Sequence, residues 1–241
     1  MRSLLPVRGL ALACLLAAAS NASASGLQIA PTSIEMASAG PAQALWLTNT
    51  GDHDLRAQVR AYKWSQAGGK DQLDPTQALV ASPPMLTVAP GGRQLVRIIR
   101  TGQGAAAAGE QTFRLLVDEL PLEAAKGTGV QYVLRYSVPV FIGVSGQPSL
   151  KWSGTPGHDT LELTVSNSGT AHAQLREMSL VQPGAAPLPI VAGLLGYVLP
   201  GATMHWTIAL PAGANATNAS IKALVNGDAT DQMLSPGAQP R

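Results

Sequence analysis

The segment VQYVLRYSVPVFI, residues 130–142, alternates large apolar side chains with other residues, several of them polar. The apolar positions are Val130, Tyr132, Leu134, Tyr136, Val138 and Val140. Because successive side chains of a β-strand point to opposite faces, a period of two over this length predicts a long strand with one apolar face. The sequence leaves open whether that face covers the core of its own domain or the core of a partner.

The first two dozen residues have the pattern of a secretory signal. Arg2 and Arg8 precede an apolar run, and the sequence Ala-Ser-Ala just before Ser25 provides the small residues of a cleavage site. This pattern predicts a signal peptide over residues 1–24 and a mature chain that starts near Ser25.

The composition favours a folded all-β protein. Hydrophobic residues make up 46% of the chain and charged residues 12%, which argues against disorder, and 25 glycines with 18 prolines suit many short strands and turns.

The net charge of +2 includes the arginines of the signal, so the mature chain is close to neutral and no nucleic-acid partner is predicted. No second apolar run reaches about 18 residues, so no membrane insertion is predicted. The only cysteine, Cys14, lies in the signal, so neither a disulfide nor a thiolate nucleophile is expected.

Short extended segments separated by turn signals follow one another through the first half of the chain. Alternation predicts strands over residues 27–36, 44–48, 56–64, 79–88, 94–100 and 113–120, ahead of the strand at 130–142. Residues 65–74, which contain Gly68 and Gly69, are predicted as a polar loop. Pro83 and Pro84 have no N–H to donate to a central ladder, so they are predicted to let one strand switch sheets, with a cis bond as one route.

The number of strands and the turns between them predict an immunoglobulin-like sandwich over residues 25–143. The second half repeats the pattern, because LELTVSNSG at 161–169 echoes ALWLTNTG at 44–51. A second, smaller β-sandwich is therefore expected over residues 144–232, followed by a flexible tail at 233–241.

Several motifs, in their order and spacing, resemble the periplasmic pilus-assembly (fimbrial) chaperones of the chaperone-usher pathway. The matching pieces are Ile29-Ala-Pro-Thr32, Leu45-Trp-Leu-Thr-Asn-Thr-Gly51, Ala81-Ser-Pro-Pro84, Asp118-Glu-Leu-Pro121, Leu163-Thr-Val-Ser-Asn-Ser-Gly169 and Gly196-Tyr-Val-Leu-Pro-Gly201. The resemblance implies two immunoglobulin-like domains in a boomerang arrangement, a periplasmic location and no cofactor. It also implies pilin subunits and an outer-membrane usher as partners.

In that family the last long strand of the first domain completes the sandwich of a pilin subunit, which lacks its own final strand. The resemblance assigns this donor role to Val130, Tyr132 and Leu134, which would fill the groove of the subunit by β-augmentation. The alternative is that these three side chains cover the second sheet of their own domain. Self-association of the free protein over this strand also stays open.

The family also anchors the C-terminal carboxylate of the subunit with two basic residues in the cleft between the domains. Here Ser33 or Ile34 aligns with the first position and Pro139 with the second, and none of them is charged, which is typical of a divergent branch of the family. The nearest replacements are Arg114 and Arg135, since a guanidinium binds a carboxylate with two parallel hydrogen bonds. The alternative for both arginines is an exposed strand position or an ion pair with Glu110, Asp118 or Glu119.

No pattern of catalysis or metal binding is found. The histidines, His53, His158, His172 and His205, are far apart in the sequence, and no nucleophile elbow, phosphate loop or calcium loop occurs. We therefore predict no catalytic residue and no metal site. The alternatives to a chaperone are a secreted two-domain adhesive or structural protein, whose last strand is internal, and, with only its compartment in favour, a periplasmic hydrolase.

Overall fold

The computed structural model describes residues 26–101, 109–121, 133–214, 216–217 and 219–236. Every regular element in these ranges is a strand, which confirms the all-β prediction. Within the same ranges there is no helix with the length and apolar character needed to cross a membrane.

The first domain contains ten strands in the part of the chain that is described. They are β1 (Leu27–Ala30), β2 (Ile34–Met36), β3 (Ala42–Asn49), β4 (Leu55–Ala67), β5 (Lys70–Pro75), β6 (Leu79–Ser82), β7 (Met85–Val88), β8 (Arg93–Arg100), β9 (Gln111–Leu120) and β10 (Arg135–Ile142). Sheet 1 has the order β1-β3-β8-β6. Sheet 2 has the order β2-β10-β9-β4-β5, and β7 also pairs with β4. The two sheets pack face to face around one core, as in a β-sandwich.

The chain passes between the two sheets several times, and two of these passages run through proline. It passes from β1 in sheet 1 to β2 in sheet 2 through Pro31, and from β6 in sheet 1 to β7 in sheet 2 through Pro83 and Pro84. The peptide bonds that precede Pro31 and Pro83 are both cis. The double proline thus switches sheets as predicted.

The prediction of a polar loop at residues 65–74 was wrong. Strand β4 continues to Ala67, β5 begins at Lys70, and these two residues pair directly. Only Gly68 and Gly69 form the turn, with φ angles of 59° and 74°. Two consecutive residues with positive φ make a tight hairpin turn whose twist matches that of the strands, and glycine adopts this conformation without strain.

The second domain adds eight strands within its described residues. They are β11 (Leu150–Pro156), β12 (Thr160–Asn167), β13 (Ala173–Val181), β14 (Leu188–Val198), β15 (Thr203–Ala209), β16 (Ser220–Val225), β17 (Asp228–Met233) and β18 (Ser235–Pro236). Sheet 3 has the order β15-β12-β11-β18 and sheet 4 the order β14-β13-β16-β17. Because Ser235 and Pro236 pair with β11, strand pairing extends into the segment 233–241 that was expected to be a tail.

A buried asparagine closes the same turn in both domains. The Nδ2 of Asn49 donates to the carbonyls of Val88 and His53, at 2.9 and 2.7 Å, and its Oδ1 accepts from the N–H of Gly51 at 2.9 Å. Asn167 repeats this arrangement: its Nδ2 donates to two carbonyls at 2.8 and 3.1 Å, and its Oδ1 accepts from Gly169 at 2.9 Å. The echo in the sequence is therefore an echo of one hydrogen-bonded turn.

Replacing Asn167 by alanine tests this arrangement. Asn167 is 1% exposed, so alanine would leave two buried carbonyls and two partly buried N–H groups without their partner. We expect a loss of about 2–4 kcal/mol in the free energy of unfolding. Urea titration followed by tryptophan fluorescence measures it, with the exposed Gln43→Ala as control. A loss no greater than that of the control would show that water replaces the amide.

Candidate functional site

One edge of strand β10 is only partly covered. On one side β10 pairs with β9 along its whole length, and on the other side it pairs with β2 only from Val140 to Ile142. Within the described chain, no strand lies along the outer edge of residues 135–139. The N-terminal part of β10 is therefore an open edge, and an open edge is where an added strand can form a ladder.

The predicted donor residues lie at the start of this edge. Val130 and Tyr132 are outside the described residues, and Leu134 directly precedes β10. The carbonyl of Leu134 accepts from the N–H of Glu119 at 2.9 Å, and its own N–H donates to Glu119 Oε2 at 3.1 Å. Its half-buried side chain packs against the first-domain core together with that of Tyr136. Leu134 thus has the same facing as the core side of β10.

The opposite face of sheet 2 carries an ion triple beside that edge. Asp118 Oδ2 accepts from Arg60 Nη2 at 2.7 Å, and Asp118 Oδ1 accepts from Arg135 Nε. Burial alone would raise the pKa of Asp118, but the hydrogen bonds from Arg60 and Arg135 outweigh it and hold this pKa below its usual value. The guanidinium of Arg135 is therefore already paired, as the ion-pair alternative anticipated.

Arg114 lies on the same face, further along toward the second domain. The register places it directly opposite Pro139, the position where the sequence lacks the expected basic residue. Its guanidinium carbon lies 3.7 Å from the ring centre of Trp64 and 5.2 Å from that of Tyr197, and its Nη2 is 3.9 Å from Asp71 Oδ2. Burial lowers the pKa of Arg114, and Asp71 opposes that shift. A guanidinium has so high a pKa that it stays charged, so a cation is held between two rings.

The two domains share an aromatic contact around this arginine. Trp64 and Phe141 belong to the first domain in sequence, yet both are buried in the core cluster of the second domain. The ring of Phe141 stacks on that of His172 with 3.5 Å between centres, and Trp64 meets Tyr197 edge to face at 5.5 Å. The edge-to-face contact of Trp64 and Tyr197 adds to the burial of apolar area.

Hydrogen bonds also hold the two domains together at this interface. The buried carboxylate of Glu110 accepts from the N–H of His172 at 3.2 Å and contacts its ring Nδ1 at 2.9 Å. The amide of Gln66 bonds the backbone of the second domain twice, accepting from Leu199 N at 2.9 Å and donating to Tyr197 O at 3.0 Å. These bonds fix the second domain relative to Arg114, because Tyr197 is both a hydrogen-bond acceptor and one wall of the arginine site.

Several members of this site could not be found from the sequence. Glu110 and His172 stand in different domains, and nothing local in either segment pairs them. Tyr197 lies within the motif Gly196–Gly201, which supports the family resemblance. Its ring contact with Arg114, however, depends on how the two domains are arranged. Ser33 lines a cavity of about 350 Å³ between the domains, and brings no charge to it. Across the described residues, no three His, Cys, Asp or Glu side chains are grouped so as to hold a metal ion.

The first domain matches a known protein family, and the whole fold is similar to solved structures. Residues 26–145 match the family described as pili and flagellar-assembly chaperone, PapD N-terminal domain. The chain is similar to the structure of the CsuC–CsuE chaperone–tip adhesion subunit pre-assembly complex, from the archaic chaperone-usher Csu pili of Acinetobacter baumannii. The two share 25% identity, over 88% of this chain and 99% of that one, with a TM-score of 0.65.

Two further structures share the fold at lower identity. The CupB2 chaperone of Pseudomonas aeruginosa is 18% identical, over 86% of this chain and 100% of that one, with a TM-score of 0.59. The Salmonella enterica SafA pilin in complex with the SafB chaperone is 16% identical, over 89% and 99%, with a TM-score of 0.61. A search of curated protein sequences found no match.

The ion triple predicts a pH dependence for Asp118→Asn. A carboxyl whose pKa is lowered by folding stabilises the protein above its unfolded pKa, about 3.9, and that stability is lost as the pH falls through the folded value. We expect the variant to be less stable than the parent by about 1 kcal/mol at pH 7, since both arginines are partly exposed. The difference should close below about pH 4.

Urea unfolding of both proteins between pH 7 and pH 3 measures this difference. The exposed Asp54→Asn is the matched control, because no ion pair of Asp54 is found among the described residues. A constant difference across the range would show that the triple does not stabilise the fold.

Proposed function

We infer the function of this chain from the premise that it belongs to the pili and flagellar-assembly chaperone family, which residues 26–145 match. We propose that it binds pilin-like subunits in the periplasm by donor-strand complementation and delivers them to an outer-membrane usher. The observation that supports this proposal best is the open edge of β10 at residues 135–139.

The open edge and the alternating sequence supply the two parts of β-augmentation. The backbone of an unpaired edge offers hydrogen bonds to an incoming strand, and alternate side chains give specificity. In a strand continued from β10, Tyr132 and Val130 would share the facing of Leu134. Burying each of the three side chains in a groove would contribute roughly 1.5–3 kcal/mol, which leaves a useful affinity after the costs of association.

Arg114 is the better of the two candidate anchors for the carboxylate of a subunit. The Nε of Arg135 already contacts Asp118, so a second carboxylate at Arg135 would meet the negative charge of Asp118. That of Arg114 is oriented by two rings, and its nearest carboxylate, from Asp71, is 3.9 Å away. A preorganised and partly desolvated cation binds a carboxylate more strongly than a mobile surface one.

The proposed cycle needs no nucleotide and no metal. The donor strand would hold the subunit with its groove filled by a foreign strand, in an incompletely collapsed state. Exchange for the extension of another subunit would then be downhill. The alternative function, a secreted adhesive or structural protein, is favoured by one observation, which is that Leu134 packs against the core of its own domain.

Replacement of donor side chains separates these two functions. We expect Tyr132→Asp and Leu134→Asp to lower recovery of a co-expressed cognate pilin about tenfold or more, because a carboxylate cannot be buried unpaired in an apolar groove. The control is Val133→Asp, since Val133 is 48% exposed and of opposite facing. Circular dichroism checks that each variant is folded. If both aspartate variants were folded and the recovery of the pilin were unchanged, the hypothesis of an adhesive or structural protein would be favoured.

The anchor is tested with the carboxylate itself. We expect Arg114→Gln to weaken binding of a subunit about tenfold or more, and to have little effect on a subunit whose C-terminus is amidated, because that subunit offers no carboxylate. Arg135→Gln is the matched control and should bind both forms like the parent. If Arg114→Gln weakened both forms equally, the arginine would act through the fold and the carboxylate would bind elsewhere.

A further inference from the structure

The outward face of sheet 1 is a second candidate interaction surface, in the layer of the first domain that does not contain β10. We call it the arginine–tryptophan face, and its residues are Trp46, Val80, Arg93, Leu95, Arg97 and Ile99. They alternate with core residues such as Leu45 and Val96, which are fully buried. The register brings Trp46 beside Leu95 and Ile99 beside Val80, so apolar and basic side chains are interleaved across three strands.

This face carries positive charge only. None of the four strands of sheet 1 contains Asp or Glu, and all three of their charged residues are arginines of β8. Arg100 donates to the carbonyl of Ser38, whereas Arg93 and Arg97 are exposed, and no carboxylate of the described residues pairs with either. Two of the arginines are therefore left for a ligand of opposite charge.

The aromatic ring orients one of these cations. The guanidinium carbon of Arg93 lies 4.0 Å from the ring centre of Trp46, which restricts the side chain before any partner arrives. Tryptophan and arginine are the side chains most enriched at the energetic centres of protein interfaces. Leu95 and Ile99 are half-buried and Val80 is 42% exposed, so apolar contact area surrounds the charges.

We propose that the arginine–tryptophan face binds an extended acidic segment of a partner protein. Arg93 and Arg97 are four residues apart on one strand, a separation of about 13 Å, with Leu95 between them on the same face. An extended segment with two carboxylates four positions apart has the same spacing, and its central side chain would meet Leu95. The recognised pattern is acidic, any residue, apolar, any residue, acidic.

The residue types favour a protein over an anionic lipid surface. Both free cations are arginines, whose planar guanidinium binds a carboxylate with two hydrogen bonds. Binding to anionic lipid typically uses clusters of about 4–8 basic residues, more than this face offers. The face is independent of the proposed donor function, because it uses neither β10 nor Arg114.

The test uses a defined peptide, acetyl-Ser-Thr-Glu-Thr-Leu-Thr-Glu-Thr-Ser-amide, whose blocked end cannot occupy a carboxylate anchor. We expect amide and indole signals in two-dimensional NMR of the full mature protein to shift on β3, β6 and β8 at low salt. Arg93→Gln and Arg97→Gln should each weaken binding by about fivefold, as should replacing both glutamates of the peptide by glutamine. Arg176→Gln, at an exposed arginine of the second domain, should leave it unchanged.

Three results would overturn the proposal. The first is absence of shifts up to millimolar peptide, or equal binding of the glutamine peptide. The second is sedimentation of the protein with phosphatidylglycerol vesicles that Arg93→Gln and Arg97→Gln abolish, which would assign the face to lipid. The third is concentration-dependent self-association that the same variants abolish, which would assign it to a second copy of the chain.

Discussion

The packing of Phe141 and Trp64 into the second domain is the contact on which the rest of the structure depends. Phe141 is on β10 and Trp64 on β4, so two strands of sheet 2 enter the core of the neighbouring domain. On the other side of β10, Val140 and Ile142 fill the core of the first domain. One strand therefore joins both cores near its C-terminal end, and its N-terminal end is left with an open edge.

This contact also creates the environment of Arg114. One wall of the arginine site is Trp64 from the first domain, and the other is Tyr197 from the second. The guanidinium is held only while the two domains keep their arrangement, and the bonds of Gln66 and Glu110 across the interface maintain that arrangement. A buried carboxylate such as Glu110 would be costly without a partner, so its contacts with His172 make the interface specific rather than merely apolar.

The sequence predicted those features that depend on neighbouring residues. The all-β class, the sheet switch at Pro83 and the repeated turn of Asn49 and Asn167 follow from local alternation and turn chemistry. The hairpin at Gly68 was missed, because polar side chains on an exposed edge strand look like those of a loop. The different surroundings of Arg114 and Arg135 depend on the register of β9 and β10, which brings Asp118 opposite Arg135 and Pro139 opposite Arg114. Register and domain arrangement come from contacts between distant segments, and no single segment encodes them.

An open strand edge is a liability, since any other edge can pair with it, and β10 limits that risk in its own composition. Pro139 removes one N–H just where the pairing with β2 ends, so the ladder cannot simply be extended by a foreign strand at that point. Arg135 and Ser137 are exposed on the outer face of β10, and Tyr136 is tied back by a hydrogen bond from its hydroxyl to the carbonyl of Leu27 at 2.7 Å. The open edge thus carries a charge and is short, and Tyr136 fixes it to strand β1. A strand that pairs with it must also offer apolar burial for the side chains that precede Arg135, and this second requirement is what would distinguish a cognate partner from an accidental one.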